Sequence, residues 1–152
     1  MSDLSAEEQL AGFIDKYTPE IAARTRAVLA KMRALLPGAI ELVYDNYNAL
    51  VIGFGPTDRT SESLFSIAVY PRWLSLFFLH AAGLSDPGHL LQGSGKFVRH
   101  IVLNQPENLD TPAVRRLMAQ SLKRSRKPLD PRRPERIVIK SISAKQRPRR
   151  RV

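Results

Sequence analysis

A glycine-rich turn carries the residue pattern with the clearest potential for chemistry. It reads Gly93-Ser94-Gly95-Lys96, and Arg99 follows three residues later. Glycine lets backbone N–H groups approach an anion closely, and the two cations would complete the charge. The segment is not a P-loop, because it lacks the GxxxxGK[ST] spacing and leads into a strand. It predicts a phosphate or carboxylate site; the alternative is a turn followed by solvated charges.

The strand predicted over residues 73–80 is apolar on both faces. Side chains alternate along a strand, so one face carries Leu74, Leu76, Phe78 and His80, and the other carries Trp73, Phe77 and Leu79 with Ser75. Helices can cover only one of these faces. We expect the second face to be covered by pocket contents, a second copy of the chain, the segment 137–142 or long loops.

Together these two patterns predict a binding site for a small anionic ligand or a protein segment. Polar-tipped aromatic residues and a histidine would line it beside the glycine-rich turn. The predicted ligand-binding residues are Tyr44, Tyr70, Phe77, His80, Gly93, Gly95, Lys96 and Arg99.

Metal binding has weak support in the residues. His80, His89 and His100 show no ligand spacing. The acidic residues of the first predicted helix could offer oxygen ligands to a hard cation, although helix capping also explains most of them. These weak metal candidates are Asp3, Glu7, Glu8 and Asp15.

The composition excludes several catalytic classes. The chain has no cysteine, which rules out disulfides, thiolate zinc sites and cysteine nucleophiles. No Ser-His-Asp set, carboxylate pair or dinucleotide fingerprint occurs at a recognised spacing. We therefore predict a binding domain rather than an enzyme, with no cofactor indicated by the residues themselves.

The positive charge lies almost entirely at the C-terminus. Residues 1–122 carry 11 Lys and Arg against 12 Asp and Glu, whereas residues 123–152 carry 13 against two. The basic segment could bind nucleic acid non-specifically through phosphate contacts. It contains no aromatic residue that could stack on a base. The predicted contacts are Arg147, Arg149, Arg150 and Arg151.

Nothing in the sequence predicts a membrane partner. The N-terminal residues are acidic and polar, unlike a secretory signal peptide. The longest apolar-rich stretch, residues 73–84, is shorter than the roughly 20 residues that a bilayer requires. We expect a cytoplasmic protein.

The periodicity predicts an α+β fold. Two N-terminal helices precede five strands in a mainly antiparallel, curved sheet, and one helix follows, with the helices packed on one sheet face. Residues 1–126 would form this domain. Residues 127–152 would form a basic, largely disordered tail with one strand at 137–142 that could join a sheet edge in this chain or a partner.

The chain resembles the bacterial YdhG-like domain family (domain of unknown function family 1801) over about residues 6–125. The resemblance lies in Pro37–Glu41 and Tyr44, in the aromatic strand Trp73–His80, and in the Leu90–Lys96 loop followed by Arg99. It implies a fold similar to frataxins. Because one family member is described as a frataxin-like iron chaperone, it also implies iron binding as a function.

Overall fold

The computed structural model describes residues 4–150 and contains three α-helices and six strands. The helices are α1 (Ala6–Ile14), α2 (Pro19–Leu35) and α3 (Pro112–Arg124). The strands are β1 (Ile40–Asp45), β2 (Leu50–Gly55), β3 (Phe65–Val69), β4 (Leu74–Phe78), β5 (Arg99–Leu103) and β6 (Arg136–Ile142). Two 3₁₀ turns lie at Thr60–Glu62 and Pro106–Asp110. Among these described helices, none has the length and apolar character needed to cross a bilayer.

The strands form one mixed sheet in the order β5-β4-β3-β2-β1-β6. β1 to β5 pair antiparallel with their neighbours, and β6 pairs parallel with β1. The prediction of a five-stranded sheet was therefore wrong by one strand. The apolar segment 137–139 pairs with the edge of β1 that the antiparallel meander leaves open. This pairing is within the same chain, so the sheet includes residues beyond 126. The disorder predicted for the rest of the tail stays a prediction.

The first two helices each begin at a residue whose side chain caps the helix. The backbone N–H of Glu8 donates to Ser5 Oγ at 3.1 Å, and Ser5 N–H donates to Glu8 Oε1 at 3.0 Å, which completes a capping box. Thr18 Oγ1 accepts from Ile21 N–H at 3.3 Å. At α3, Thr111 forms no side-chain cap, because its hydroxyl donates to Asn108 O at 3.0 Å.

One core joins the three helices to a single face of the sheet. Its strand residues alternate strictly, as in Ile52, Ile67 and Leu76, which are in register across β2, β3 and β4. Tyr17 crosses this core: its hydroxyl donates to Val69 O at 2.7 Å and accepts from Leu50 N–H at 3.1 Å. Burial of these apolar side chains is the main stabilising contribution.

Two buried carboxylates of β1 face the helices, and each has a basic partner. Glu41 accepts two bonds from Arg33, at 2.7 and 2.9 Å. Asp45 accepts from Lys16 Nζ at 2.7 Å and from Arg149 Nη2 at 2.9 Å. Burial alone would raise the pKa of Asp45, but these charged donors hold it below its usual value. Burial raises the pKa of Glu41 despite its hydrogen bonds from Arg33. Each carboxylate nevertheless has a basic partner within hydrogen-bond distance, as a buried charge requires.

The opposite, outer face of the sheet has large apolar side chains on β1, Ile40 and Leu42, and small ones at its centre. Its central positions hold small residues, namely Gly53, Ser66, Ala68 and Ser75. The β2–β3 connection lies over part of this face: a Cβ on Gly53 would lie 3.3 Å from Ser63 Oγ, and the Tyr44 and Thr60 hydroxyls are 2.7 Å apart. The expected cover is therefore supplied in part by a loop of the same chain, and segment 137–142 lies at the sheet edge.

Candidate anion-binding site

A cluster of basic side chains lies at one end of the sheet, which we call the loop end. Here the β2–β3 connection (56–64) and the β4–β5 connection (79–98) meet the C-terminus of α3. An open pocket of about 610 Å³ lies between them, and we call it the loop-end pocket. It is lined by Pro56, Ser61, Glu62, Leu64, His80, Ser121, Arg124, Ser125, Arg126 and Lys127.

His80 contributes an imidazole to the loop-end pocket. Its Nε2 lies 3.1 Å from the carbonyl oxygen of Ser63. Because a carbonyl oxygen only accepts hydrogen bonds, Nε2 must carry the proton. In the neutral ring this leaves Nδ1 as an acceptor, and in the charged ring Nδ1 becomes a second donor. Two loops that are distant in sequence are joined by this bond.

The cations of the pocket differ in their hydrogen-bond and ion-pair partners. Arg124 Nη2 donates to Ala82 O at 2.6 Å, and Lys127 Nζ lies 2.8 Å from Glu62 Oε2. Hydrogen bonds from Lys127 and Thr57 hold the pKa of Glu62 below its usual value, so Glu62 is ionised at neutral pH.

Arg126 is the cation of the pocket that remains available. It forms no hydrogen bond or ion pair with any residue in the described part of the chain, and its side chain is exposed. The pocket thus carries three fixed positive charges against one negative charge. Its electrostatic field favours an anion.

A second cavity of about 480 Å³ lies beside Ala82, the residue whose carbonyl accepts from Arg124, and we call it the Lys96 cavity. It is lined by Lys96 and Arg99 from the glycine-rich segment, together with Asp86 and His89. Arg99 Nε donates to Gly95 O at 2.5 Å, so its guanidinium closes the turn in addition to lining the cavity.

The loop that carries Lys96 is held by local hydrogen bonds. The carboxylate of Asp86 accepts the backbone N–H groups of Leu90 and Leu91, each at 2.9 Å. Gly93 has φ +107°, a conformation that a residue with a side chain rarely adopts, and a Cβ on Gly95 would lie 2.7 Å from Val98 O. The conformation of the turn itself therefore requires both glycines.

The remaining predicted ligand-binding residues do not meet at one place. Phe77 lies on the outer face against His100, with ring centroids 5.2 Å apart. Tyr44 also lies on the outer face, where its hydroxyl bonds to Thr60. Tyr70 lies at the opposite end of the sheet, stacked on Trp73. Of the eight predicted residues, the fold brings His80, Lys96, Arg99 and the two glycines to the loop end.

The acidic candidates for a metal site are engaged in other contacts. Glu7 pairs with Arg33 at 3.2 Å, Glu8 caps α1, and Asp15 pairs with Arg26. Asp3 lies outside the described residues. Within residues 4–150, no group of three or more histidine, aspartate or glutamate side chains is placed to hold a metal ion.

The arginines predicted to contact nucleic acid occupy unequal positions. Arg149 is buried, whereas Arg147 and Arg150 are exposed at the end of the sheet opposite the loop end. Arg151 lies outside the described residues. The buried ion pair makes Arg149 an anchor of the tail rather than a free phosphate ligand.

Sequence reasoning missed Arg124, Arg126 and Lys127 as site residues, because it grouped them with the basic tail. No local signal in the sequence distinguishes these three from the cations that follow. Their proximity to His80 comes from the packing of α3 against the loop end.

Comparisons of the chain with protein-family models, with curated proteins and with solved structures gave no match. The resemblance to the YdhG-like family and to frataxins stays a prediction.

Proposed function

We propose that this protein is a non-enzymatic binding domain whose ligand is a small amphipathic anion, held in the loop-end pocket. The observation that carries the proposal is the presence of Arg124, Arg126 and Lys127 around a single carboxylate, Glu62, in a cavity of about 610 Å³. A cavity of this size is within the range that holds small-molecule ligands. Arg126, which has no partner within residues 4–150, would donate to the ligand's carboxylate or phosphate.

The apolar part of the ligand is inferred from the rest of the lining. Leu64 and Pro56 are both buried residues that contribute apolar surface to the pocket wall. A purely inorganic anion would make no apolar contact with this wall. A carboxylate or phosphate on an aliphatic or aromatic body would place its charge beside Arg126 and pack its apolar part against Leu64 and Pro56.

The hydrogen bonding of the pocket supports a binding role. The hydrogen bond of His80 runs to a main-chain carbonyl, and Ser121 and Ser125 donate to main-chain carbonyls of their own segment. Within the described part of the chain, no serine in the pocket is hydrogen bonded to the histidine, as an activated nucleophile would be. Iron handling, which the family resemblance implies, has no specific support from the geometry.

A thermal-shift panel tests the proposal. Octanoate, benzoate, phenyl phosphate, inorganic phosphate and sulfate are added separately to the full chain, and the melting temperature is recorded. We expect at least one of the organic anions to raise Tm more than sulfate does, because a ligand that binds only the folded state stabilises it. The Arg126→Ala variant should show a smaller rise at the same ligand concentration.

Arg132→Ala is the matched control, since it removes one exposed arginine that lies outside the pocket. Its response should equal that of the unchanged protein. A panel in which no organic anion shifts Tm, or shifts of the same size in Arg126→Ala, would refute the proposal.

A further inference from the structure

The fold brings the basic tail next to exposed aromatic rings. The β1–β2 and β3–β4 turns lie at the same end of the sheet, opposite the loop end. They present Tyr47, which is 42% exposed, and Trp73, which is also 42% exposed and stacks on Tyr70 with centroids 4.6 Å apart. A concave region of about 670 Å³ is lined by Asn48, Tyr70, Pro71, Trp73, Arg147, Pro148 and Arg150.

The tail reaches this end of the sheet through specific contacts. Arg147 N–H donates to Tyr47 O at 2.8 Å, and the Arg147 guanidinium lies 5.7 Å from the centroid of the Tyr47 ring. Arg149, two residues further on, is buried and bonded to Asp45. These contacts place the Arg147 guanidinium over the Tyr47 ring, and Arg150 lines the same concave region as Tyr70 and Trp73. We call the set Tyr47, Tyr70, Trp73, Arg147 and Arg150 the aromatic–arginine surface.

The cations of this surface are available to a ligand. Arg147 and Arg150 form no ion pair within residues 4–150; Arg150 Nε and Nη2 donate to the backbone oxygens of Lys16 and Asp15, at 3.2 and 3.5 Å. Arg72, in the turn between Tyr70 and Trp73, likewise has no partner in the described part of the chain. Asp45, the acidic residue beneath this surface, is neutralised by Lys16 and Arg149. The surface therefore combines positive charge with exposed ring faces.

We propose that the aromatic–arginine surface binds a short stretch of single-stranded nucleic acid. An unpaired base would stack on the free face of Trp73, and the flanking phosphates would pair with Arg147 and Arg150. A base offers a planar surface that an acidic peptide lacks, and a single strand exposes it where a duplex does not. Such contacts read no particular sequence. The proposal does not depend on the loop-end pocket.

The chain contains a built-in probe, because Trp73 is its one tryptophan. The full-length protein is titrated with a short oligothymidylate while tryptophan fluorescence is recorded, and the titration is repeated over a range of salt concentrations. We expect the emission to be quenched to saturation, since a base that stacks on the indole quenches it. The logarithm of the binding constant should fall linearly as the logarithm of the salt concentration rises.

Variants separate stacking from charge. Trp73→Leu, measured by the anisotropy of a labelled oligonucleotide, should bind roughly tenfold more weakly. Arg147→Ala keeps the fluorescent probe and should reduce the salt slope by about 0.7, because it removes one arginine–phosphate interaction. Arg132→Ala is the control, because it removes the same charge from a tail arginine whose side chain is 92% exposed.

Several results would overturn the proposal. One is saturation without quenching, together with equal affinity of Trp73→Leu, which would show non-specific attraction to a polyanion. Equal salt slopes for Arg147→Ala and Arg132→Ala would count against a defined surface. Quenching by a proline-rich or acidic peptide, with no quenching by the oligonucleotide, would assign the surface to a protein partner instead.

Discussion

Arg149 Nη2 lies 2.9 Å from Asp45 Oδ1, and both side chains are almost completely buried although they are 104 positions apart in the chain. The pair joins the basic tail to the end of β1. Arg149 also donates to Asn46 O at 2.5 Å and lies 5.8 Å from the ring centroid of Tyr17. The contacts of this one residue reach β1, the following turn and the residues after α1.

Removal of Arg149 should destabilise the whole domain. Arg149→Met leaves Asp45 buried with Lys16 as its remaining cation, so we expect the free energy of unfolding to fall by about 3 kcal/mol. Urea unfolding followed by circular dichroism measures the change. Arg147→Ala, which removes an exposed arginine two residues away, should change it by less than about 0.5 kcal/mol. Equal effects of the two variants would contradict this role for Arg149.

The same pair predicts a pH dependence. Burial raises the pKa of Asp45 in the folded state, but the charged donors lower it by more, and the net pKa is below the usual value. The stability that ionised Asp45 contributes is therefore complete above the unfolded pKa of about 3.9. It is lost as the pH falls through the folded pKa. Stability should therefore decrease below about pH 4.

The Asp45→Asn variant isolates this contribution. It should be less stable than the unchanged protein at about pH 6 and should lose less additional stability between about pH 4 and about pH 3. Urea titrations at each pH give both quantities. Parallel stability curves for the two proteins would show that Asp45 does not gain its proton in this window.

Replacement of Gly38, in the turn after α2, should destabilise the fold. Gly38 has φ +83°, and a Cβ at this position would lie 1.9 Å from Asp130 O. Gly38→Ala should thus lower the free energy of unfolding by more than about 1 kcal/mol, through backbone strain and displacement of residue 130. Gly12→Ala is the control: it lies in α1 with no atom within 4 Å of the added carbon and should stabilise by about 0.5–1 kcal/mol. Chemical denaturation of both variants tests the difference.

The two cavities of the loop end should be separable by substitution. A Lys96→Ala, Arg99→Ala double variant changes the Lys96 cavity and leaves the lining of the loop-end pocket intact. Its affinity for whichever organic anion the panel identifies should stay within about twofold, whereas Arg126→Ala should weaken binding about three- to tenfold. Isothermal titration calorimetry gives both values. A larger decrease in affinity for the double variant would show that the anion binds in the Lys96 cavity.

The helices and the five antiparallel strands could be predicted because their signals are local. The Ser5–Glu8 capping box, Thr18 before Pro19, and the alternation in residues 74–78 each act over a few residues. The sixth strand was foreseen as a segment, but its parallel partner β1 could not be named. Parallel pairing depends on which edge remains open after the other strands have assembled.

Only part of the candidate site could be predicted, because some of its residues meet through long-range contacts. The sequence predicted Lys96 and Arg99 as anion-binding residues from the composition of the glycine-rich segment, and His80 as a pocket-lining residue of its strand. The fold places all three at the loop end. Arg126 and the burial of Arg149 depend on contacts between segments that are far apart in the chain. Periodicity and composition describe only neighbouring residues, so they could not separate the buried arginine of the tail from the exposed ones.

Chemical-shift mapping of the ¹⁵N-labelled full chain tests the proposed function most directly. Octanoate, or the organic anion with the largest thermal shift, is titrated while backbone amide signals are followed. We predict concentration-dependent shifts at Leu64, His80 and Arg126, with the signals of Tyr47 and Trp73 unchanged. Shifts confined to Tyr47 and Trp73, or no saturable shift at the loop end, would contradict an anion site in the loop-end pocket.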